Sequence, residues 1–372
     1  MFETYQSPKE LRPSDPRFGV GPSLIPLEFI DSLKAQGVHY LGTSHRKSAV
    51  KNVVKEIQEG LRTYFRLPQD YSVVLGNGGA TFLFDMLALG MVQKRATHFV
   101  CGEFSEKWFK SSKKVPWIET VAQQVPFGEG ITPTDDTASD LIACTLNETS
   151  TGVIVDQFPK VHDGALLAVD ATSGAAQVPC DVSKVDVFFF SPQKVFASDG
   201  GLWVAILSPK ACERALTLAK DKSRYIPDIM SWESAITNSD QNQTYNTPAL
   251  ATLWFLNEQV KKMNKIGYDA VIEDGHKKAK LVYGWAEEKS YLSPYIKDPK
   301  YRSNSVAAID VDDKVNVDDL LKALAKEKSV YNIDGYRKLG RNQFRIGLFH
   351  NIAYSDLEKL TKILSHAIES VL

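Results

Sequence analysis

Along this chain, short and almost wholly apolar runs alternate with longer stretches in which apolar residues recur every three or four positions. The runs Ser72 to Leu75, Thr97 to Cys101, Asp140 to Leu146, Ala165 to Val169, Val185 to Phe190 and Leu202 to Leu207 predict strands, several of them apolar enough to be buried on both faces. Helical spacing predicts helices over Ser48 to Phe65, Ala80 to Val92, Phe104 to Lys114 and Pro209 to Ala219. Strand and helix in turn are the pattern of an α/β fold whose mostly parallel sheet is covered on both sides. Only Ser191 to Gly201 joins the last two strands, too short for an ordinary helical crossover, so Leu202 to Leu207 is expected to run antiparallel to its predecessor. A long helix over Ala249 to Lys265 then leaves the first domain, and Val306 to Val311, Val317 to Lys326 and Gln343 to Leu348 read as strand, helix and strand of a smaller α+β unit. Residues Tyr5 to Pro22, rich in proline and charge, read as an arm. The expected division is an arm over 1–16 associated with the small domain, a large domain over 17–260 and a small C-terminal domain over 261–372.

Composition narrows the function classes. With 372 residues and 43% apolar content the chain can bury a large core. A net charge of −1 without a dense Lys/Arg block gives no electrostatic reason to expect nucleic acid or an anionic membrane, so a small metabolite is the expected partner. The N-terminal residues lack a signal-peptide pattern and no transmembrane run appears. Cys101, Cys144, Cys180 and Cys212 are scattered without metal-ligand spacing, which fits reduced thiols in a cytoplasmic protein with no metal site.

The chemistry concentrates at strand ends. Asp170 closes the run Leu166-Leu167-Ala168-Val169, and Lys194 follows Val187-Phe188-Phe189-Phe190 by a short turn. A fixed acid and a lysine at the ends of neighbouring strands are what pyridoxal 5′-phosphate requires, one to keep its ring nitrogen protonated and one to hold its aldehyde as a Schiff base. Taken singly, Asp170 reads equally well as a helix cap and Lys194 as a surface lysine. The stretch Ser72 to Thr81 passes from strand through Gly76, Gly78 and Gly79 into a helix start, where free N–H groups would face a phosphate. A dinucleotide-binding reading, with Glu103 as the ribose acid, lacks a glycine at Thr81, and no Gly-Lys-Ser/Thr follows for a nucleotide triphosphate loop.

Ser44-His45-Arg46, Gly78-Gly79-Ala80-Thr81, Asn147-Glu148-Thr149, Asp170-Ala171-Thr172-Ser173, Ser191-Pro192-Gln193-Lys194 and Tyr245-Asn246-Thr247-Pro248 occur in this order. Together they resemble the class V aminotransferases of fold type I, most closely the phosphoserine branch in its actinobacterial form. The resemblance implies a large domain with a mostly parallel seven-stranded sheet plus a smaller α+β domain, and a homodimer with shared active sites. It implies that Lys194 and Asp170 carry catalysis, Thr149 lies on the hydroxyl side of the ring, and Ala80, Thr81 and Gln193 lie near the cofactor phosphate. Asn246 and Thr247 would reach that phosphate from the partner subunit. Phe104 is the expected stacking ring, with Trp108 as its alternative. Arg345 is assigned to the substrate α-carboxylate, and Arg46, with His45 assisting, to the distal acid group.

Two departures accompany the resemblance. Ala80 stands where the better-known branch has an arginine for the substrate phosphate, and Tyr336-Arg337-Lys338 with Arg341 replaces a His-Arg pair, so Arg337, Lys338 and Arg341 become the substitute cations. The implied reaction is transamination between L-glutamate and 3-phosphohydroxypyruvate in serine biosynthesis, with a related phosphorylated keto acid of pyridoxine biosynthesis as a secondary substrate. A serine or alanine–glyoxylate aminotransferase would share the cofactor residues without needing distal cations. A cysteine desulfurase would need a late cysteine, and none follows Cys212.

Overall fold

The computed structural model describes residues 2, 4–155 and 157–372. Its helices are α1 (Leu27–Tyr40), α2 (Ser48–Tyr64), α3 (Ala80–Gly90), α4 (Glu103–Ser112), α5 (Pro209–Ala219), α6 (Trp232–Asp240), α7 (Leu250–Ile266), α8 (Tyr268–Glu288), α9 (Val317–Lys326) and α10 (Tyr354–Glu369). Its strands are β1 (Ser72–Gly78), β2 (Arg95–Val100), β3 (Glu119–Gln124), β4 (Leu141–Thr145), β5 (Asn147–Glu148), β6 (Val153–Ile154), β7 (Leu166–Asp170), β8 (Val187–Phe190), β9 (Gly201–Leu207), β10 (Leu292–Pro294), β11 (Val306–Val311) and β12 (Gln343–Gly347).

A seven-stranded sheet in the order β1-β9-β8-β7-β4-β2-β3 forms the larger body. β9 pairs antiparallel with both β1 and β8, as the short connection predicts, and the other neighbours are parallel. The Val-Phe-Phe-Phe run of β8 shows why this sheet needs cover on both sides. Successive side chains of a strand point to opposite faces. Phe188 and Phe190 accordingly meet Phe65 at the end of α2, whereas Phe189 meets Phe84 of α3 and Trp108 of α4. On α2, Val50, Val53, Val54, Ile57 and Leu61 recur at helical spacing and are buried as one stripe.

A three-stranded antiparallel sheet, β10-β11-β12, forms the smaller unit. The N-terminal arm is tied to it. Ser14 and Asp15 donate backbone N–H groups to the Asp356 carboxylate at 2.7 and 3.1 Å, and the Phe18 carbonyl accepts from Gly347 at 2.8 Å.

Two expectations need correction. β1 runs on through Gly76 to Gly78, so the glycines lie in the strand and only Gly79 separates it from α3. β3 was not expected at all. It is a partly exposed edge strand with the sequence Glu-Thr-Val-Ala-Gln-Gln, and an edge strand needs neither the alternation nor the apolar density of a buried one.

Candidate active site

All the candidate residues of the large sheet stand at one edge of it. The parallel strands β7 and β8 end at Asp170 and just before Lys194, β1 ends at Gly78-Gly79, β2 leads into Gly102 and Phe104, and β4 leads into Asn147 to Thr149. The crevice beyond the carboxyl ends of the strands is where open α/β sheets bind ligands.

Asp170 is buried and Lys194 half-buried, and each senses the other's charge. Burial pushes the Asp170 carboxyl up to about 6, against the hydrogen bonds from Thr172, and nearby Glu148 pushes it the same way. Both Thr172 bonds, from N at 2.9 Å and Oγ1 at 2.5 Å, fall on Oδ1. Oδ2 accepts no hydrogen bond among the described residues. Burial, and after it the Arg345 charge, pulls the Lys194 amine down to about 8. Such an amine is neutral often enough to act as nucleophile or base near physiological pH. It donates a hydrogen bond to the Val20 carbonyl at 2.8 Å. Gly21, at a φ of +120°, has no room for a Cβ, which would collide with the Lys194 side chain. The segment read only as an arm therefore also walls the lysine, a contact no local pattern reveals.

On the neighbouring peptide, Thr149 Oγ1 and Asn147 Nδ2 each lie 2.7 Å from the Ser173 hydroxyl. Arg345, on β12 of the small sheet, donates through Nη1 to the Thr149 carbonyl at 3.1 Å and lies 5.2 Å from the Tyr336 ring centroid. Its Nε is buried with no partner among the described residues. Burial lowers the pKa of a guanidinium so held, whose planar N–H fork suits a carboxylate.

Of the two candidate stacking rings, the structure removes one. Trp108 is fully buried, stacked on Phe84 at 5.4 Å and edge-on to Phe189, so it is core. Phe104 is half-buried at the start of α4, 6.1 Å from Tyr336 and with the Lys107 ammonium 4.9 Å from its centroid. Glu103 heads the same helix in ion pairs with Lys338 and with Lys107 at 3.5 Å, so it is not a free ribose acid.

Ala80 and Thr81 open α3 behind Gly79, which faces the Ser191 hydroxyl, and that hydroxyl bonds to the Gln193 side chain and to the Leu202 carbonyl at 2.9 Å. His45, Thr247 and Asn77 form a separate group. His45 Nδ1 is 2.9 Å from Thr247 Oγ1, and the Thr247 carbonyl accepts from Asn77 at 2.9 Å. Burial, then the Arg46 charge, lowers the His45 pKa. Arg46, Asn246 and Thr247 are exposed, and no hydrogen bond among the described residues joins Asn246 or Thr247 to Ala80 or Thr81 of the same chain.

The substitute cations separate clearly. Arg341 is committed to Asp310 through bonds of 3.0 and 2.7 Å, and Lys338 to Glu103. Arg337 has no ion pair among the described residues; all three cations, with Tyr336 and Arg345, line a cavity of about 1060 Å³.

Residues 18–335 match the family described as aminotransferase class-V. The phosphoserine aminotransferases of Rhodococcus jostii and Corynebacterium glutamicum are 42% and 43% identical to the chain, spanning 100% and 97% of it and 100% and 96% of their own lengths. Among solved structures, a phosphoserine aminotransferase from Cytophaga hutchinsonii is similar with a TM-score of 0.86 at 25% identity, over 95% of this chain and 99% of that one. The pyridoxal-phosphate-bound phosphoserine aminotransferase of Trichomonas vaginalis shares the fold at a TM-score of 0.79 and 21% identity, over 94% and 99% of the two chains.

Proposed function

We propose that this chain, which belongs to the class-V aminotransferase family, catalyses the reversible transamination of 3-phosphohydroxypyruvate with L-glutamate, giving O-phospho-L-serine and 2-oxoglutarate. Its cofactor is pyridoxal 5′-phosphate, which when bound supplies an electron sink for breaking the substrate Cα–H bond. The observation that carries the reading is the pair of Asp170 and Lys194 at the ends of the neighbouring parallel strands β7 and β8, with its depressed amine and elevated carboxyl.

We assign the roles as follows. Asp170, through Oδ2, holds the ring nitrogen protonated, and a charged partner there reverses the cost of burying the carboxylate. Lys194 would carry the cofactor, and its Nζ is the group that would take the proton from the substrate Cα. Phe104 would cover one ring face, Thr149 would stand at the ring hydroxyl, and the turn of Gly79, Ala80 and Thr81 with Gln193 would receive the cofactor phosphate. Arg345 binds the α-carboxylate through the Nε that now lacks a partner. For the distal acid group we assign Arg46, assisted by His45, and Arg337, the substitute cation with no ion pair among the described residues.

The exposed apolar residues Leu27, Ile30, Val38 and Leu41 on and beside α1, and Tyr225, Ile229 and Tyr245, support a homodimer. In it Asn246 and Thr247 would serve the partner's site. Free thiols at all four cysteines suit the cytoplasm. The deciding experiment compares kcat/KM for glutamate with 3-phosphohydroxypyruvate, hydroxypyruvate, glyoxylate and the phosphorylated keto acid of the pyridoxine route. Preference for an unphosphorylated acceptor would refute the assignment.

A further inference from the structure

Glu148 is wholly buried between two residues of the site, Asn147 and Thr149, yet its side chain turns away from both. It serves the N-terminus of α4. Oε2 accepts from the backbone N–H groups of Phe104 at 3.1 Å and Ser105 at 2.9 Å, and from the Ser105 hydroxyl at 2.9 Å. Oε1 lies 2.7 Å from the Ser150 hydroxyl, which itself accepts from the Glu103 N–H at 3.0 Å. The N–H groups that open α4 are thus met by one short segment far away in the chain. Helix starts leave such groups without partners, and an acid there also opposes the positive end of the helix dipole. The fit is close enough that a Cβ on Gly102 would collide with the Glu148 side chain.

We propose that Glu148 is a positioning residue for the transamination, its carboxylate fixing the first turn of α4 and thereby the height of the Phe104 ring over the cofactor. The inference rests on the cofactor site assigned above. One peptide, Asn147 to Ser150, joins the two sides: Glu148 and Ser150 hold the helix that carries the covering ring, while Asn147 and Thr149 share the Ser173 hydroxyl. Arg345 is anchored on the Thr149 carbonyl of the same peptide. The Glu148 charge also reaches Asp170, which it pushes up, and Arg345, where it opposes the effect of burial. A helix cap needed only for stability would not be built into the peptide that orders the opposite wall.

The test is Glu148→Gln in the parent and in a Phe104→Leu background. The amide keeps the shape but turns a donor toward N–H groups that need an acceptor. Borohydride fixation should still place the cofactor on Lys194, while the visible circular dichroism band changes and kcat falls by about tenfold with KM for glutamate little altered. In the Phe104→Leu background the same substitution should change kcat by less than about twofold, since the ring it places is gone. An unchanged band and kcat, or equal losses in both backgrounds, would overturn the inference. If Glu148→Gln does not fold, Ser105→Ala, which removes one hydroxyl from the carboxylate, must show the same coupling to Phe104 on a smaller scale, and additive losses there would equally overturn it. A parent protein that fixes no cofactor on Lys194 would refute the site assignment itself, a different result from a cofactor-bearing parent that is indifferent to Glu148.

Discussion

At the scale of single residues, the site is built from groups in a state that costs stability until the cofactor arrives. Asp170 stands at about 6 in the folded chain against an ordinary 3.8, so folding favours its protonated form. That contribution is complete below the ordinary value and is lost as pH rises through 6. Lys194 stands at about 8 against 10.5, so its favourable contribution belongs to high pH and is lost as pH falls through 8. Near pH 7 the cofactor-free chain therefore bears both penalties, each of a few kcal/mol at about 1.4 kcal/mol per pH unit. Cofactor-free Asp170→Asn should melt above the parent at pH 7, with the difference closing as pH is lowered to about 4. Cofactor-free Lys194→Met should do the same at pH 7, with its gain shrinking as pH is raised toward 10. With cofactor bound the order reverses for Asp170→Asn, because a neutral amide cannot stabilise a protonated ring nitrogen. Calorimetry of stripped and loaded proteins across pH decides this, and a stripped parent more stable than both variants at pH 7 would exclude it.

At the scale of elements, α8 is fixed by a buried charge. Lys278 is almost wholly buried, and its Nζ lies 2.5 Å from Asp274 one turn earlier, 3.2 Å from the Phe349 carbonyl and 3.1 Å from the His350 carbonyl, in the loop that follows β12. His350 Nδ1 completes the group at 3.1 Å from Asp274. Asp274→Ala would strand the ammonium and should cost about 3–5 kcal/mol, whereas Lys278→Met with Asp274→Ala should cost distinctly less. Urea unfolding of the single and double variants measures this, and equal losses would mean that the pair carries no such coupling. These elements also show what the sequence makes legible. The Val-Phe-Phe-Phe strand is readable because a central strand buried on both faces needs an unbroken apolar run, and Asp170 and Lys194 are readable because they end such runs. β3 is not readable, since an edge strand of Glu, Thr and Gln pairs through its backbone on one side only. Glu148 and the Val20 carbonyl escape for another reason. Their partners are backbone groups and a lysine brought near by the fold, and no spacing along the chain encodes that meeting. Trp108 and Phe104 lie one helical turn apart with the same aromatic signature, and only packing against Phe84 distinguishes core from site.

At the scale of the whole molecule, the homodimer proposed above would put the cofactor phosphate's second wall outside the single chain. Val38 is 88% exposed, Tyr225 77% and Leu27 66%, apolar surface that a second copy would cover. Thr247 holds to Asn77 and His45 of its own chain, the Asn246 carbonyl accepts from the Thr244 hydroxyl, and among the described residues neither Asn246 nor Thr247 bonds to the α3 turn. Under the shared-site arrangement, Asn246→Ala and Lys194→Ala dimers are each impaired, the first in cofactor retention and the second in chemistry. Mixing them creates heterodimers in which one site takes Lys194 from one subunit and Asn246 from the other, both unaltered, while the opposite site carries both defects. With random exchange at equal amounts, half the dimers are mixed and each has one intact site, so activity should recover to about a quarter of the parent's. A site built within one chain predicts the contrary, because each subunit would keep its own defect and mixing would only average two impaired enzymes. Activity that stays at that average, with exchange demonstrated by mass-labelled subunits, would remove Asn246 from the partner's site.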